Sequence, residues 1–220
     1  PRFAPTSTPA QLEISGTLYK ECEGVYVQSH VAENVDEIAW VRDLFQEATS
    51  YLDVYNQFGL LGPRTLYGHG IHFSDADVEM LKDTDTSIVH CPTSNLFLGS
   101  GLFTYQKFKE AGIRVALGTD IGGGTSLSPF GTMKAAYEIA QFNNYSLTPF
   151  DAFYILTIGG AEALHLGDKI GRIAPGYEAD LTVVNLHSTN IIKNRMKQTN
   201  ELAEILFLQI ILADDRAIRT

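Results

Sequence analysis

The sequence predicts an α/β fold, the second half of a (β/α)8 TIM-type barrel followed by packing helices and a small β element, and two observations carry that reading. Short apolar runs rich in β-formers alternate with helical patterns, and a histidine or an aspartate stands at the end of each of four runs. The runs are Val25-Tyr26-Val27-Gln28-Ser29, Thr65-Leu66-Tyr67-Gly68, Ser87-Ile88-Val89 and Val115-Ala116-Leu117-Gly118. Between them, residues 36–45 place Ile38, Val41, Leu44 and Phe45 on one helical face. Ser74-Asp75-Ala76-Asp77 resembles a capping box, and residues 103–111 read as a helix stopped by Gly112.

Alternation of this kind implies parallel strands, in a doubly wound sheet or in a barrel. The polar residues select the barrel: His30, His69, His90 and Asp120 lie at or just past strand ends, on what is the catalytic face of that fold. Spacing disfavours nucleotide binding, since Gly122-Gly123-Gly124 follows a strand without a GxGxxG pattern and no GxxxxGK[ST] occurs. Stretches over 130–141 and 149–164 read as outer helices, the second entered through Thr148 with Pro149 at its first position. A turn over 171–176 leads into an alternating strand over 179–184. Residues 1–168 are therefore assigned to the barrel with its outer helices, and 169–220 to the start of a small β element with a terminal helix. A complete barrel takes roughly 250 residues, and four units fit here into roughly the first 125, so half a barrel is expected to lie elsewhere. Its open sheet edges need that N-terminal half for stability. The start at Pro1, without an initiator methionine or a leader pattern, fits a chain that begins inside a longer polypeptide.

Sixteen Lys and Arg against 26 Asp and Glu give a net charge of −10, which disfavours a nucleic-acid partner because phosphate binding needs clustered cations. The longest apolar run, Ile205 to Leu212, is interrupted by Gln209 and falls short of the ~18 residues of a membrane span. Cys22 and Cys91 form no CxxC pair, so neither a disulfide framework nor a thiolate zinc site is indicated, and a cytoplasmic protein is expected.

Four constellations carry chemistry. In His30-Val31-Ala32-Glu33 an imidazole at a strand tip can hold a divalent metal, and the carboxylate three residues on turns back toward the same pocket. Alternatively, His30 satisfies a loop carbonyl and Glu33 caps the following helix. In Tyr67-Gly68-His69-Gly70-Ile71-His72, strand alternation allows one histidine into the pocket; His69 is the choice, with His72 hydrogen-bonded near the helix start. The third is His90-Cys91-Pro92-Thr93-Ser94-Asn95. In the fourth, Gly118-Thr119-Asp120-Ile121-Gly122-Gly123-Gly124, Asp120 can ligate a metal and accept a proton from water, or else cap the next helix. Their order, strand after strand, favours the functional reading in each case. His165 and His187 lie outside strand tips and read as structural.

Taken with Pro175-Gly176 and Ala179-Asp180-Leu181, this series resembles the deaminase branch of the amidohydrolase superfamily. Pro1-Arg2-Phe3, Ser29 to Asn34, Asn95 to Gly101 and Gly118 to Gly124 are similar to the guanine deaminases within it. The resemblance implies one divalent metal, zinc or else iron, held by His30 and Asp120 together with an HxH pair. No two of the six histidines are spaced HxH, so the chain holds two of the expected ligands where catalytic zinc takes three. The resemblance further implies that Glu33 shuttles a proton to the ring and His69 orients the attacking hydroxide. Asp120 takes the proton of the attacking water, and Arg2 and Phe3, with His30 and Glu33, bind a small-molecule purine base. An arginine so near the start reads equally as a solvated surface charge. The implied reaction is hydrolysis of guanine to xanthine and ammonia, in a homodimer. A deaminase of another heterocycle (triazine, cytosine, modified adenosine) and a catalytically silent fragment are the alternatives. The unrelated zinc deaminases with HxE and PCxxC ligands do not match, because His90-Cys91-Pro92 is neither motif.

Overall fold

The computed structural model describes residues 1–219. Its centre is a parallel sheet in the order β1 (Val27–Val31), β2 (Thr65–His69), β3 (Ser87–His90) and β4 (Val115–Leu117). A 3-10 turn (Ala4–Thr6) and α1 (Pro9–Glu21) precede β1. Helices α2 (Val35–Leu44) and α3 (Tyr51–Gln57) follow β1, α4 (Asp75–Asp83) follows β2, and α5 (Pro92–Phe97) and α6 (Tyr105–Glu110) follow β3. After β4 come α7 (Pro129–Phe142), α8 (Pro149–Leu156) and α9 (Ile158–Ala163). The chain closes with β5 (Val183–Val184), α10 (Asn190–Met196), α11 (Leu202–Leu212) and β6 (Ile218–Arg219), the two short strands pairing antiparallel.

The register sorts the sheet into two faces. Ser29, Tyr67, Ile88 and Val115 are partners across the four strands and all are buried, in contact with a core that includes Leu52, Tyr55, Leu81 and Phe108. The adjoining row, His30, Gly68, Val89 and Ala116, points to the opposite face because successive side chains alternate. Alternation alone thus places His30 on this second face, and His69 and His90 with Tyr67 and Ile88 on the first.

Helix α1 shows how closely these layers approach. A Cβ on Gly16 would lie 1.9 Å from the carbonyl oxygen of Phe58, a backbone atom that cannot swing aside. Gly16→Ala is expected to destabilise the fold by about 2–3 kcal/mol, read as a lower urea midpoint at unchanged slope; an unshifted midpoint would show that α1 is free to move outward.

Several boundaries differ from the sequence expectations, each for a local reason. β1 starts two residues late, because Val27 N–H donates to Arg64 O while the Arg64 side chain takes Val25 O. On α2, Ile38, Val41 and Phe45 pack on the core, but Leu44, the last helical residue, stays half-exposed. Phe103 is a fully buried core residue ahead of α6 and no part of it. The single helix expected over 149–164 breaks at Thr157 (φ −112°, ψ −85°), whose hydroxyl bonds back to Phe153 O just before the Gly159-Gly160 pair. Of the alternating stretch 179–184, only Val183 and Val184 form a strand. The capping box at Ser74 and the Thr148 cap are formed as expected. Among the described residues no helix is long and apolar enough to cross a membrane; α11 packs on α7 and α8 and buries Gln209.

Candidate active site

Three of the four parallel strands run into a non-glycine residue with left-handed backbone: Ala32 (φ 46°), His69 (φ 73°) and Asp120 (φ 46°). Such conformations cost roughly 1 kcal/mol or more each and persist where the surroundings over-determine them. At position 69 the twist has a direct effect. Strand alternation alone would send His69 with Tyr67 toward the helices; instead its Nε2 lies 3.7 Å from Glu33 Oε2 and 3.9 Å from Asp120 Oδ2. The ring is buried and stacks on His30 with centroids 5.4 Å apart. One donor atom each from His30, His69 and Asp120 lie within 4.8 Å of one another, a span one cation can bridge.

The orientation of His30 is fixed from behind. Its Nδ1 lies 2.7 Å from Arg2 O, and a carbonyl only accepts, so Nδ1 carries a proton and, in the neutral ring, Nε2 is the nitrogen with the lone pair. Arg2 O also accepts from His30 N–H (3.2 Å) and Ser29 Oγ (3.0 Å). Tyr55, from α3, clamps the same corner by donating to His30 O at 2.7 Å while its oxygen meets Ala4 N at 3.0 Å. The first part of the alternative reading of His30, bonding to a carbonyl, is thus realised without removing Nε2 from the site.

Glu33 does not cap α2. Asn34 does, accepting from Glu37 N–H at 2.8 Å, and Glu33 is left with Oε1 bonded to Ser100 Oγ at 2.9 Å and Oε2 facing His69. Asp120 caps nothing either, since the next helix begins at Pro129 behind Ser128. Its carbonyl accepts from Gly123 N–H, and a Cβ on Gly123 would fall 3.0 Å from Asp120 Oδ2, so the glycine loop wraps directly beneath the carboxylate.

Arg2, Phe3, His30, Glu33, Glu37 and Trp40 surround a cavity of about 340 Å³ beside these groups. The Arg2 guanidinium lies 4.9 Å over the Phe3 ring, which meets both His30 and Trp40 edge-on at 6.3 Å. Trp40, unassigned from sequence, is half-exposed on α2 and closes the aromatic side of this pocket. Asn95 and Ser100 are likewise unassigned from sequence, although both stand in the motifs quoted there; Asn95 Oδ1 lies 2.8 Å from His69 Nδ1.

The neighbouring titratable groups stay silent. Burial, and then the proximity of His69, pushes His90 down to about 3, and its ring stacks on Phe103 at 4.4 Å. Burial pushes the Cys91 thiol up to about 12, aided by the Asp120 charge, so no thiolate competes as ligand or nucleophile. His72 donates its ring to Ser100 O (2.9 Å), His165 lies 3.7 Å from Asp85, and His187 is exposed.

The model of the amidohydrolase family matches residues 1–207. Among curated relatives, guanine deaminase of Escherichia coli (strain K12) is 42% identical over 99% of this chain and 50% of its own length. The solved E. coli guanine deaminase superposes with a TM-score of 0.97, covering 99% of this chain and 51% of that one. Guanine deaminase from C. acetobutylicum with bound guanine in the active site is 35% identical, with a TM-score of 0.89 over 99% of this chain and 52% of that one. An adenosine deaminase from Xanthomonas campestris with bound zinc is 27% identical, with a TM-score of 0.82 over 97% and 47%. The chain spans about half the length of the curated relatives it matches.

Proposed function

This chain belongs to the amidohydrolase family, and on that footing we propose that it carries the acid–base half of a guanine deaminase site. The observation that supports this most is the placement of two carboxylates, Glu33 Oε2 and Asp120 Oδ2, beside His69 Nε2 at 3.7 and 3.9 Å. The relatives named guanine deaminase, and the one solved with guanine bound, supply the substrate.

The His30 imidazole and the Asp120 carboxylate, whose donor atoms converge beside the His69 ring, are ligand types suited to zinc. His30 and Asp120 would hold the ion, with the remaining ligands on an HxH pair outside this chain; the ion would lower the pKa of water toward ~7 and polarise the ring. The chain's own residues do the rest. Asp120 accepts a proton from the attacking water, and His69 orients the resulting hydroxide toward the amino-bearing carbon. Glu33, in its protonated form, delivers its proton to a ring nitrogen as the hydroxide adds; the proton taken by Asp120 then passes to the amino nitrogen as the C–N bond breaks, so that ammonia leaves, and the proton of the added hydroxyl returns to Glu33 as the xanthine carbonyl forms. Phe3 and Trp40 offer the flat base an aromatic wall, and Arg2 a planar donor fork for its carbonyl edge. In this reading residues 1–168 complete a barrel whose other half the full-length protein provides. The 169–220 segment forms the start of the small β element and the terminal helix. The homodimeric state is carried over from the resemblance, and the unpaired Cys22 and Cys91 fit a reducing cytoplasm.

The test is ammonia release by the zinc-loaded full-length protein with guanine, cytosine, adenine and a triazine. Guanine is expected to be the preferred substrate. Turnover of a comparator alone would reassign the protein to a sister deaminase, and turnover of none would leave a silent scaffold.

A further inference from the structure

Helix α5 ends in a turn whose hydrogen bonding places two polar residues side by side. Gly99 (φ 70°) takes the left-handed position after the last helical residues, Gly99 N–H donates to Leu96 O (3.3 Å) and Ser100 N–H donates to Asn95 O (2.9 Å). This is the Schellman pairing, in which the first residue beyond the glycine and the third residue from the helix end normally meet through an apolar contact. Here those two residues are Ser100 and Asn95, both buried, and both side chains reach into the site: Asn95 Oδ1 to His69 Nδ1 at 2.8 Å and Ser100 Oγ to Glu33 Oε1 at 2.9 Å. The turn is held on its far side by His72 Nε2, which donates to Ser100 O at 2.9 Å.

We propose that the Asn95–Ser100 turn is a brace that positions the acid–base pair, with Asn95 and Ser100 as positioning residues. By accepting from Nδ1–H, Asn95 keeps the His69 proton on the buried nitrogen and aims Nε2 at the site. By donating to Oε1, Ser100 ties down one oxygen of Glu33 and leaves Oε2 to move the proton. Because both contacts stem from one cap, the two groups are held in a single frame even though they come from different strands. A buried polar pair where the motif favours an apolar one is a local rule broken at a functional site.

This inference rests on the proposed deaminase reading, and its test separates the two. In the full-length protein, Ser100→Ala is expected to lower kcat on guanine roughly 10–100-fold with KM held within about twofold, and Ser100→Thr, which keeps the hydroxyl, to recover most of it. A Cβ on Gly99 meets no atom within 4 Å, so Gly99→Ala creates no clash, yet its backbone is strained at φ 70°; it is expected to lower kcat, with Gly99→Asn restoring it because asparagine tolerates left-handed backbone. Wild-type kcat in both Ser100→Ala and Gly99→Ala overturns the brace and leaves the deaminase reading standing. If the wild type deaminates nothing, the reading falls and the brace is judged by 15N NMR of His69 alone. A slowly exchanging proton on Nδ1 that exchanges faster in Gly99→Ala upholds it, and an unprotonated Nδ1 overturns it.

Discussion

Replacing Glu33 by glutamine is expected to lower kcat on guanine by about two to four orders of magnitude, equivalent to about 2.7–5.4 kcal/mol of transition-state stabilisation. Glutamine matches glutamate in length and its carbonyl can still accept from Ser100 Oγ, which bonds Oε1 at 2.9 Å in the wild type. What it lacks is a titratable oxygen at the Oε2 position facing His69. The loss should therefore fall on kcat, with KM for guanine and bound metal nearly unchanged. Steady-state ammonia release and metal analysis of the same preparation check both halves. A variant within about tenfold of wild type would remove Glu33 as the proton carrier.

Asp120→Asn is expected to fail differently, losing metal and turnover together. Its carboxylate belongs to the His30, His69 and Asp120 donor group, and an amide in its place is a neutral, weaker ligand that takes no proton from water. Turnover should drop by about three orders of magnitude or more, and the zinc stoichiometry of the purified full-length protein should fall well below that of wild type. The metal's contribution to thermal stability should shrink in parallel, so a chelator should lower the wild-type Tm and leave the variant's nearly in place. Full zinc occupancy in Asp120→Asn would exclude Asp120 as a ligand. The pair of variants thus separates proton transfer from metal holding.

Where burial and periodicity coincide, the fold was legible. The four strands around Ser29, Tyr67, Ile88 and Val115 follow from their apolar runs, and the caps at Ser74 and Thr148 from side chains that have one obvious donor to accept from. Helix α1 had no apolar stripe to reveal it, because it buries only Leu12 and Gly16; its Thr8-Pro9 start and capping glutamine, Gln11, were the available signal. Helix α3 is seven residues with five buried, too short and too uniformly buried to show a period. Within the site, His30, Glu33 and Asp120 were readable as polar groups at strand tips. The closeness of His69 to both carboxylates was not, since it depends on a left-handed backbone that no side-chain pattern encodes. Nor could local sequence show the service of Arg2 through its carbonyl or the meeting of Trp40 with Phe3, for both are tertiary contacts between distant segments.

The left-handed strand tips also narrow which residues can occupy these positions, independently of chemistry. Branching at Cβ closes that backbone region to Val, Ile and Thr, and among ligating side chains it is most open to Asn, Asp and His. At Asp120 a glutamate could bind a cation as well as an aspartate does, yet the backbone admits the shorter acid more readily. At His69 the imidazole satisfies both demands at once. At His69 and Asp120 two separate filters, one conformational and one chemical, thus converge on the same small alphabet, so a selection for activity should tolerate fewer replacements there than one that asks only for folding, which glycine and asparagine also satisfy.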